Sequence, residues 1–474
     1  MHHAPPDFSA LDTAADREIE VEGWISPFEH GETARYFALI EEAPCCFGCL
    51  PRDAARRIEV FAREPVAIDG RRVRLHGRLL RLEADEADWR FQLRDARLVG
   101  ANVAGSEAGE GNFTRRRFLH AAAFAGLSAG LGACAAPKVD AAGGRAAIAD
   151  RTTVDVHTHA GGVIGLGRVG TDAPFTPVAQ PMREGGMAVL CLAIVSDSPV
   201  HRVQPDHRIR PFRDPAPGEL YYYGQLSFER LHALLRAQQL GLVADAGDLA
   251  RARSERPAVV VSAEGGDFLE GRVDRVDEAY TRWTLRHLQL THYRVNELGD
   301  IQTEAPVHGG LTPAGAEVVR RCNRLGIVVD VAHGTYDLVK QAADVATRPL
   351  VLSHTSLSAH PGPHSRLVSP AHARIVAQTG GLVGIWPPAS IFPDLPALAA
   401  GMARMADAVG VEHVALGSDM RGLVGPSTFA NYRDLPLLAQ ALLDRGFQAA
   451  EVQLILGGNY VRVFGECMAV RKPG

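Results

Sequence analysis

Histidines and carboxylates recur directly after short apolar runs in the C-terminal two thirds of the chain. The sequence contains 19 histidines among 474 residues. Polar side chains that are withdrawn from water at strand ends need partners, and imidazoles with carboxylates but no thiolates form a donor set that favours Zn²⁺, with Mn²⁺, Fe²⁺ or Co²⁺ as alternatives. The side chains in question are His157, His159, Glu264, His292, His333, His354 and Asp419.

Each of these histidines alone has a simple structural interpretation as a buried core residue. Six of eight predicted strands, however, end in such a side chain, and packing does not account for that pattern. We therefore predict two divalent ions held by His157, His159, Glu264, His333 and His354, with Glu264 bridging them. Two ions a few ångströms apart can hold a hydroxide at neutral pH and polarise a carbonyl oxygen.

The apolar runs that precede these residues predict a parallel barrel. Continuous apolar runs that alternate with helical spacing are typical of a parallel sheet covered on both faces, and eight runs in about 325 residues indicate a (β/α)8 barrel, whose strand C-termini share one mouth. A doubly wound sheet is the competing architecture, and the fourth run is the weakest. The runs are Thr152–Val156, Met187–Val195, Ala258–Val261, Leu288–Leu290, Ile327–Val331, Pro349–Leu352, Gly381–Ile385 and His413–Leu416.

Over residues 150–465 the chain resembles the membrane (renal) dipeptidase family, within the amidohydrolase superfamily of metal-dependent barrel hydrolases. Several segments occur in the family's order, and together they are more specific than a lone His-x-His. They are Ser262-Ala263-Glu264-Gly265-Gly266, Leu290-Thr291-His292, Asp330-Val331-Ala332-His333, Ser353-His354-Thr355-Ser356, Gly417-Ser418-Asp419 and Ile455-Leu456-Gly457-Gly458-Asn459.

The resemblance implies a role for each matching residue. His157 would bind the first metal, Glu264 would bridge both, and His333 with His354 would bind the second. One departure affects the first metal, because the family usually has His-x-Asp where this chain has His157-x-His159. That change makes the first site less anionic.

The same resemblance implies the catalytic and substrate-binding groups. Asp419 matches the acidic residue that moves a proton between water and the leaving amine, and His292 matches the histidine that stabilises the oxyanion. Arg366 matches the arginine that receives the free carboxylate of a dipeptide. Leu367 stands where the family tends to have Asn.

Residues 1–100 predict a separate small β-barrel of unknown role. Five short strand-like runs between residues 18 and 100 suggest an OB-like barrel. The loop after the second run carries Cys45, Cys46 and Cys49. These thiols indicate a soft-metal or redox site, or incidental cysteines in a buried loop, and no second CxxC or nearby histidine completes a set of four ligands.

Residues 101–149 predict a linker that contains an export signal. Arg115 and Arg116 stand ahead of an uncharged stretch that ends at Cys134, an order that resembles a twin-arginine signal with a lipoprotein cleavage box. The expectation is an exported or membrane-anchored protein with a lipid on Cys134. The internal position is unusual, and an interdomain linker in a cytoplasmic protein is the alternative.

Composition narrows the function further. The net charge is −5, so nucleic acid is not an expected partner, and seven cysteines in 474 residues cannot form a disulfide framework. We predict that residues 150–474 form a binuclear hydrolase acting on dipeptides, in a chain that could form a homo-oligomer. An amidohydrolase acting on another amide or a lactone is the alternative, and a non-catalytic metal-binding protein is a third reading.

Overall fold

The structure is a computed structural model with two β-barrels. The residues it describes are residue 8 and residues 11–27, 33–42, 51, 53–68, 71–82, 90–99, 141–164, 175–204, 208–423 and 425–469. Cys45, Cys46 and Cys49 of the loop after the second run and the predicted export segment, residues 115–134, lie outside the described residues.

The first barrel is a closed five-stranded sheet. Its strands are β1 (Glu18–Pro27), β2 (Thr33–Ile40), β3 (Arg57–Ala67), β4 (Arg72–Arg81) and β5 (Phe91–Leu98), preceded by the short helix α1 (Leu11–Ala14). The strand order is β1-β2-β3-β5-β4, and the barrel closes between β4 and β1. Only β3 and β5 pair in parallel, and the fully buried core includes Val21, Phe37 and Leu75. The predicted small all-β barrel is confirmed.

The second barrel contains eight parallel strands in a closed ring. In ring order they are β6 (Val154–Thr158), β7 (Val189–Val195), β11 (Ala258–Glu264), β12 (Leu285–Gln289), β13 (Val328–Asp330), β14 (Leu350–Thr355), β15 (Leu382–Ile385) and β16 (Val414–Leu416). The ring closes where β16 pairs with β6, and β7 pairs with β11 along its whole length. This closed ring confirms the (β/α)8 barrel and excludes the doubly wound sheet.

Three short strands add to this frame. The strands β8 (His201–Val203) and β9 (Ile209–Pro211) form an antiparallel pair after β7, and β10 (Gly241–Leu242) pairs in parallel with the start of β11. Sequence analysis predicted none of the three, because each has only two or three residues and lacks the apolar run that marks the buried strands.

Helices follow most of the barrel strands. They are α2 (Ala142–Ile148), α3 (Ala179–Gly185), α4 (Glu219–Gln238), α5 (Ala246–Arg251), α6 (Asp274–Arg282), α7 (Pro313–Leu325), α8 (Tyr336–Val345), α9 (Pro370–Gln378), α10 (Leu395–Val409), α11 (Leu435–Asp444), α12 (Ala449–Gln453) and α13 (Asn459–Met468). None of the helices in the described part of the chain has the length and apolar content needed to cross a membrane.

The ends of α7 illustrate how local sequence positions the site. The Thr312 side chain accepts a hydrogen bond from the Gly315 amide at 3.0 Å, and Pro313 occupies the first turn, where its missing N–H costs nothing. Gly326 ends the helix in the left-handed region with φ 78°, which glycine adopts without steric penalty. The chain then enters β13 and leads on to His333.

The fourth predicted run was placed too late. It began at Leu288, whereas β12 begins at Leu285. Arg286 and His287 interrupt the apolar pattern, yet both are buried. Arg286 Nε donates to the Ala244 carbonyl at 2.8 Å, and His287 Nδ1 lies 3.0 Å from the Tyr460 hydroxyl. Hydrogen bonds from other elements allow these polar residues to occupy a buried strand.

Candidate metal centre and active site

The predicted site residues gather at the carboxyl ends of the barrel strands. His157 lies in β6, Glu264 ends β11 and His354 lies in β14. The remaining three follow strands by three residues each, namely His292 after β12, His333 after β13 and Asp419 after β16. All six residues are buried, with exposures of 8% or less. The strands therefore deliver residues separated by 262 positions to one place.

The Glu264 carboxylate is the centre of this cluster. Its Oε1 lies 3.3 Å from the Nε2 atoms of both His333 and His354 and 3.5 Å from that of His157. Its Oε2 lies 3.1 Å from His159 Nε2. Overlapping groups of three side chains place their donor atoms close enough together to hold a cation. The predicted ligand set is thus brought together around one carboxylate.

The imidazole rings are oriented by their other nitrogens. His159 Nδ1 donates to the Ala193 carbonyl at 2.8 Å, so its Nε2 carries a lone pair when the ring is neutral. His354 Nδ1 lies 2.9 Å from Ser353 Oγ. The Nε2 atoms of His333 and His354 are 3.1 Å apart, and those of His157 and His159 are 3.2 Å apart. A cation bound between the rings of each pair would contact both nitrogens.

Burial and charge shift the acid–base properties of this cluster in opposite directions. Burial opposes ionisation of Glu264, but His292 and His157 outweigh it and hold the pKa of the carboxyl well below its ordinary value. Burial lowers the pKa of His354 to about 4. His159 differs because Asp419 and Glu264 outweigh its burial and raise its pKa to about 10. Metal-free protein therefore concentrates positive charge on His159.

Asp419 reaches the cluster from an unusual backbone conformation. Its φ is 46°, in the left-handed region, which costs energy for a residue with a Cβ and is found where surrounding structure enforces it. Asp419 Oδ1 lies 3.4 Å from His159 Nε2. Burial raises the pKa of Asp419, but the hydrogen bond from His159 and the charge of His354 outweigh it, and the net shift is downward. His333 is also left-handed, with φ 67°.

A cavity of about 320 Å³ opens over the cluster. Glu264, His292, His333, His354 and Asp419 form part of its lining, together with Arg366 and an apolar wall that includes Trp386. The Arg366 guanidinium donates to Gln302 Oε1 at 2.9 Å and to the His354 carbonyl at 3.4 Å. Six of the predicted catalytic, metal and carboxylate-binding residues therefore line one cavity, and the other two, His157 and His159, lie directly behind them.

Several residues that support this site were not predicted from the sequence. Asp197 follows β7 by two positions and contacts His292, so the strand-end rule applied to the second run would have found it. Asp155 is fully buried and accepts hydrogen bonds from the Ser418 amide and the Tyr432 hydroxyl, both at 2.9 Å. Burial raises the pKa of Asp155 to about 6. Gln302 lies in a loop, where no periodic pattern points to it.

The model of the membrane dipeptidase family, peptidase family M19, matches residues 224–473. This match covers just over half of the chain. The chain belongs to the membrane dipeptidase family. The match begins after β7, so the first two strands and the first barrel lie outside it, whereas the sequence resemblance extended back to residue 150.

Relatives with curated descriptions include several dipeptidases. Dipeptidase aclJ of Aspergillus oryzae is 34% identical over 200 residues, covering 40% of this chain and 46% of that protein. Dipeptidase tcpJ of Claviceps purpurea is 32% identical over 228 residues, covering 45% and 52%. Dipeptidase 3 of Mus musculus is 27% identical over 232 residues, covering 46% of each. The chain spans about half the length of these relatives.

Solved structures show the same fold over the second barrel. The probable dipeptidase PvdM from Pseudomonas aeruginosa has a TM-score of 0.58 and 17% identity, covering 69% of this chain and 98% of that one. A metallopeptidase from Rhodobacter sphaeroides, solved with a phosphinate mimic of the dipeptide L-Ala-D-Ala, has a TM-score of 0.55 and 19% identity, covering 67% and 99%. At these identities the likeness establishes the fold.

Proposed function

We propose that this protein is a binuclear metal-dependent dipeptidase. The observation that carries the proposal is the convergence of four imidazole Nε2 atoms on the two oxygens of Glu264, at 3.1–3.5 Å. A buried carboxylate surrounded by imidazoles is a donor set for divalent cations, and family membership supports hydrolysis of a dipeptide.

The residues fit two ions. His157 and His159 would hold the first, His333 and His354 the second, and Glu264 would bridge them. The absence of thiolates in this set favours Zn²⁺, and Mn²⁺, Fe²⁺ and Co²⁺ accept the same donors. The buried Nδ1 atoms of His157 and His333 have no hydrogen-bond partner among the described residues. When bound, the ions supply Lewis acidity and make water nucleophilic near neutral pH.

Asp419 is assigned the proton transfer. Its carboxylate borders the cavity and contacts His159, and its lowered pKa keeps it ionised at neutral pH. An ionised carboxylate in that position can take a proton from the attacking water and give it to the leaving amine. The left-handed backbone at this residue aims the carboxylate at the ligand cluster rather than along the strand.

His292 and Arg366 are assigned to the substrate. His292 Nε2 lies 3.3 Å from Glu264 Oε2 and faces the cavity, where an N–H donor would stabilise the developing oxyanion. Arg366 is half-buried at the cavity wall, and its planar fork suits the terminal carboxylate of a dipeptide. Together they would orient the peptide carbonyl toward the ligand cluster and Asp419.

Metal analysis and a dipeptide panel test this function. We expect about two divalent ions per chain and turnover of free dipeptides that a chelator abolishes and Zn²⁺ restores. Glu264→Gln should lose most of the metal, whereas the control Glu270→Gln, at a carboxylate paired with Arg275 outside the cluster, should keep it. Metal content near zero in the wild type, or unchanged in Glu264→Gln, contradicts a binuclear centre.

A panel that also contains non-peptide amides and lactones distinguishes a dipeptidase from the alternative amidohydrolase. Metal-loaded protein that cleaves a non-peptide amide or a lactone but no dipeptide would move the assignment to the broader amidohydrolase class. His159 is the residue that favours this alternative, because the family usually has Asp at that position.

We further propose that residues 115–134 direct export, with Cys134 as the site of lipid attachment. The support is the arginine pair, the uncharged stretch and the small residues before Cys134. One acyl chain gives only marginal membrane binding, so the lipid would hold the protein weakly unless a second signal contributes.

A further inference from the structure

The Asp197 carboxylate is a buried acceptor beside the cavity. It follows β7, and its exposure is 0%. Its Oδ1 accepts a hydrogen bond from His292 Nδ1 at 2.7 Å and lies 3.1 Å from His201 Nδ1. Its Oδ2 accepts one from the Tyr293 amide at 3.1 Å. One side chain therefore holds the segment after β12 to the end of β7 and to the start of β8.

These contacts determine which nitrogen of His292 faces the cavity. An ionised carboxylate can only accept hydrogen bonds, so the His292 nitrogen at 2.7 Å from it carries a proton. The opposite nitrogen, Nε2, then points toward Glu264 Oε2 at 3.3 Å. The His201 ring packs edge-on against His292, with ring centres 5.3 Å apart, and limits rotation of the ring about its axis.

We propose that Asp197 is a positioning residue that fixes the orientation of His292 and the proton on its Nδ1. A second ring proton, which makes both nitrogens donors, is then carried by Nε2, the nitrogen that faces the substrate carbonyl. This inference rests on the proposed dipeptidase function, in which His292 contacts the reacting group. Asp197 itself lies behind His292, at the Nδ1 side of the ring, and acts through it.

The geometry makes Asp197→Asn an informative substitution. An amide has one acceptor oxygen and one NH₂ group in place of two acceptors. If the amide oxygen stays beside the imidazoles of His292 and His201, the NH₂ group faces the Tyr293 N–H, which is also a donor. If the side chain is flipped, the NH₂ faces the imidazole N–H groups. Either orientation opposes two donors inside a buried site, so the hold on His292 is weakened in one orientation and lost in the other.

A double-mutant cycle on the metal-loaded protein tests the coupling. His292→Ala should lower kcat about 10²–10³-fold, as removal of an oxyanion donor does, and Asp197→Asn should lower it about 10–10²-fold with KM nearly unchanged. The double variant should be no slower than His292→Ala, because the carboxylate acts only through that ring. Losses that multiply in the double variant would overturn the proposal.

A matched control separates positioning from general loss of structure. Asp267 is also fully buried, and it accepts hydrogen bonds from Arg294 at 2.9 Å and Asn296 at 3.1 Å but none from His292. Asp267→Asn should lower thermal stability by a similar amount while kcat stays within about threefold of wild type. A fall in kcat equal to that of Asp197→Asn would show that any buried carboxylate near the site has this effect.

Nuclear magnetic resonance gives a readout that does not depend on turnover. In protein labelled with ¹⁵N-histidine, a hydrogen-bonded Nδ1–H resonance assigned to His292 should be present in the wild type and lost in Asp197→Asn. The side chains of Asp197, His201 and His292 could instead hold an ion, which would remove that proton. Its absence from the wild type would overturn the inference, whereas wild type without dipeptidase activity but with the resonance would overturn only the proposed function.

Discussion

Replacing Arg366 should show whether the site reads the free carboxylate of its substrate. The guanidinium borders the cavity, where it donates to Gln302 Oε1 at 2.9 Å and to the His354 carbonyl at 3.4 Å. Arginine has five N–H donors, so the remaining ones can bind a carboxylate in the bidentate manner. Burial lowers the pKa of His333, and the positive charge of Arg366 lowers it further. The Arg366 charge therefore acts on the ligand cluster.

The magnitude follows from this geometry. Hydrogen bonds to charged groups contribute about 1.5–3 kcal/mol each, and Arg366 can make two with a carboxylate. The side chain is only half-buried, so both partners stay partly hydrated, and we expect about 3 kcal/mol in total. That corresponds to roughly 10²-fold in kcat/KM for Arg366→Gln. Arg366→Lys keeps the charge but loses the fork, and we expect a loss of about tenfold.

The assay compares each variant on a dipeptide and on its C-terminal amide. In the wild type the amide should be cleaved about 10²-fold less efficiently. In Arg366→Gln the two substrates should be cleaved alike, because the partner of the carboxylate is already gone. Equal cleavage of both substrates by the wild type would refute the role of Arg366, and a preference for free dipeptides that persists in Arg366→Gln would assign the carboxylate to another group.

Three further predictions concern the chemistry, a loop and the export segment. Asp419→Asn should keep its metal but lose about 10²–10⁴-fold in kcat, and metal analysis with steady-state kinetics checks both. Asp300 is buried and its pKa is lowered, because hydrogen bonds from the backbone N–H groups of Val307, His308 and Gly310 outweigh burial. Asp300→Asn should therefore lower the free energy of unfolding by about 2 kcal/mol, fully above the unfolded pKa of about 4 and less as pH falls below it, measured by urea unfolding. Changing Arg115 and Arg116 to Lys should move the second barrel from the exported to the cytosolic cell fraction. If the wild type and the double variant are both wholly cytosolic and uncleaved, the segment is a linker.

The second barrel could be predicted because its strands are apolar on both faces. Every one of the eight predicted runs overlaps a barrel strand, and the strand-end rule then identified seven of the buried polar residues. The error at β12 has a physical cause, since a strand that buries Arg286 and His287 does not look like an apolar run. Only the hydrogen bonds of those two side chains to other elements make the strand possible.

The supporting residues of the site could not be predicted in the same way. Gln302 reaches Arg366 across 64 positions, and Tyr432 reaches Asp155 across 277. Such contacts depend on where loops and helices are placed after the barrel has closed, and no local spacing encodes them. The left-handed backbone of His333 and Asp419 could not be predicted from the sequence either, because most His and Asp residues have a negative φ.

His159 changes the balance of charge between the two proposed metal positions. Its Nδ1 is held by the Ala193 carbonyl at 2.8 Å, and its Nε2 contacts both Glu264 and Asp419. A shorter aspartate side chain in this position would add a negative charge and could not donate to that carbonyl. With histidine here, the proposed assignment gives each ion two imidazoles and the shared Glu264 carboxylate. The two positions then offer similar donors, so a preference for one kind of metal would apply to both. Asp419 borders the first position, where its carboxylate could hold the cation together with His157 and His159.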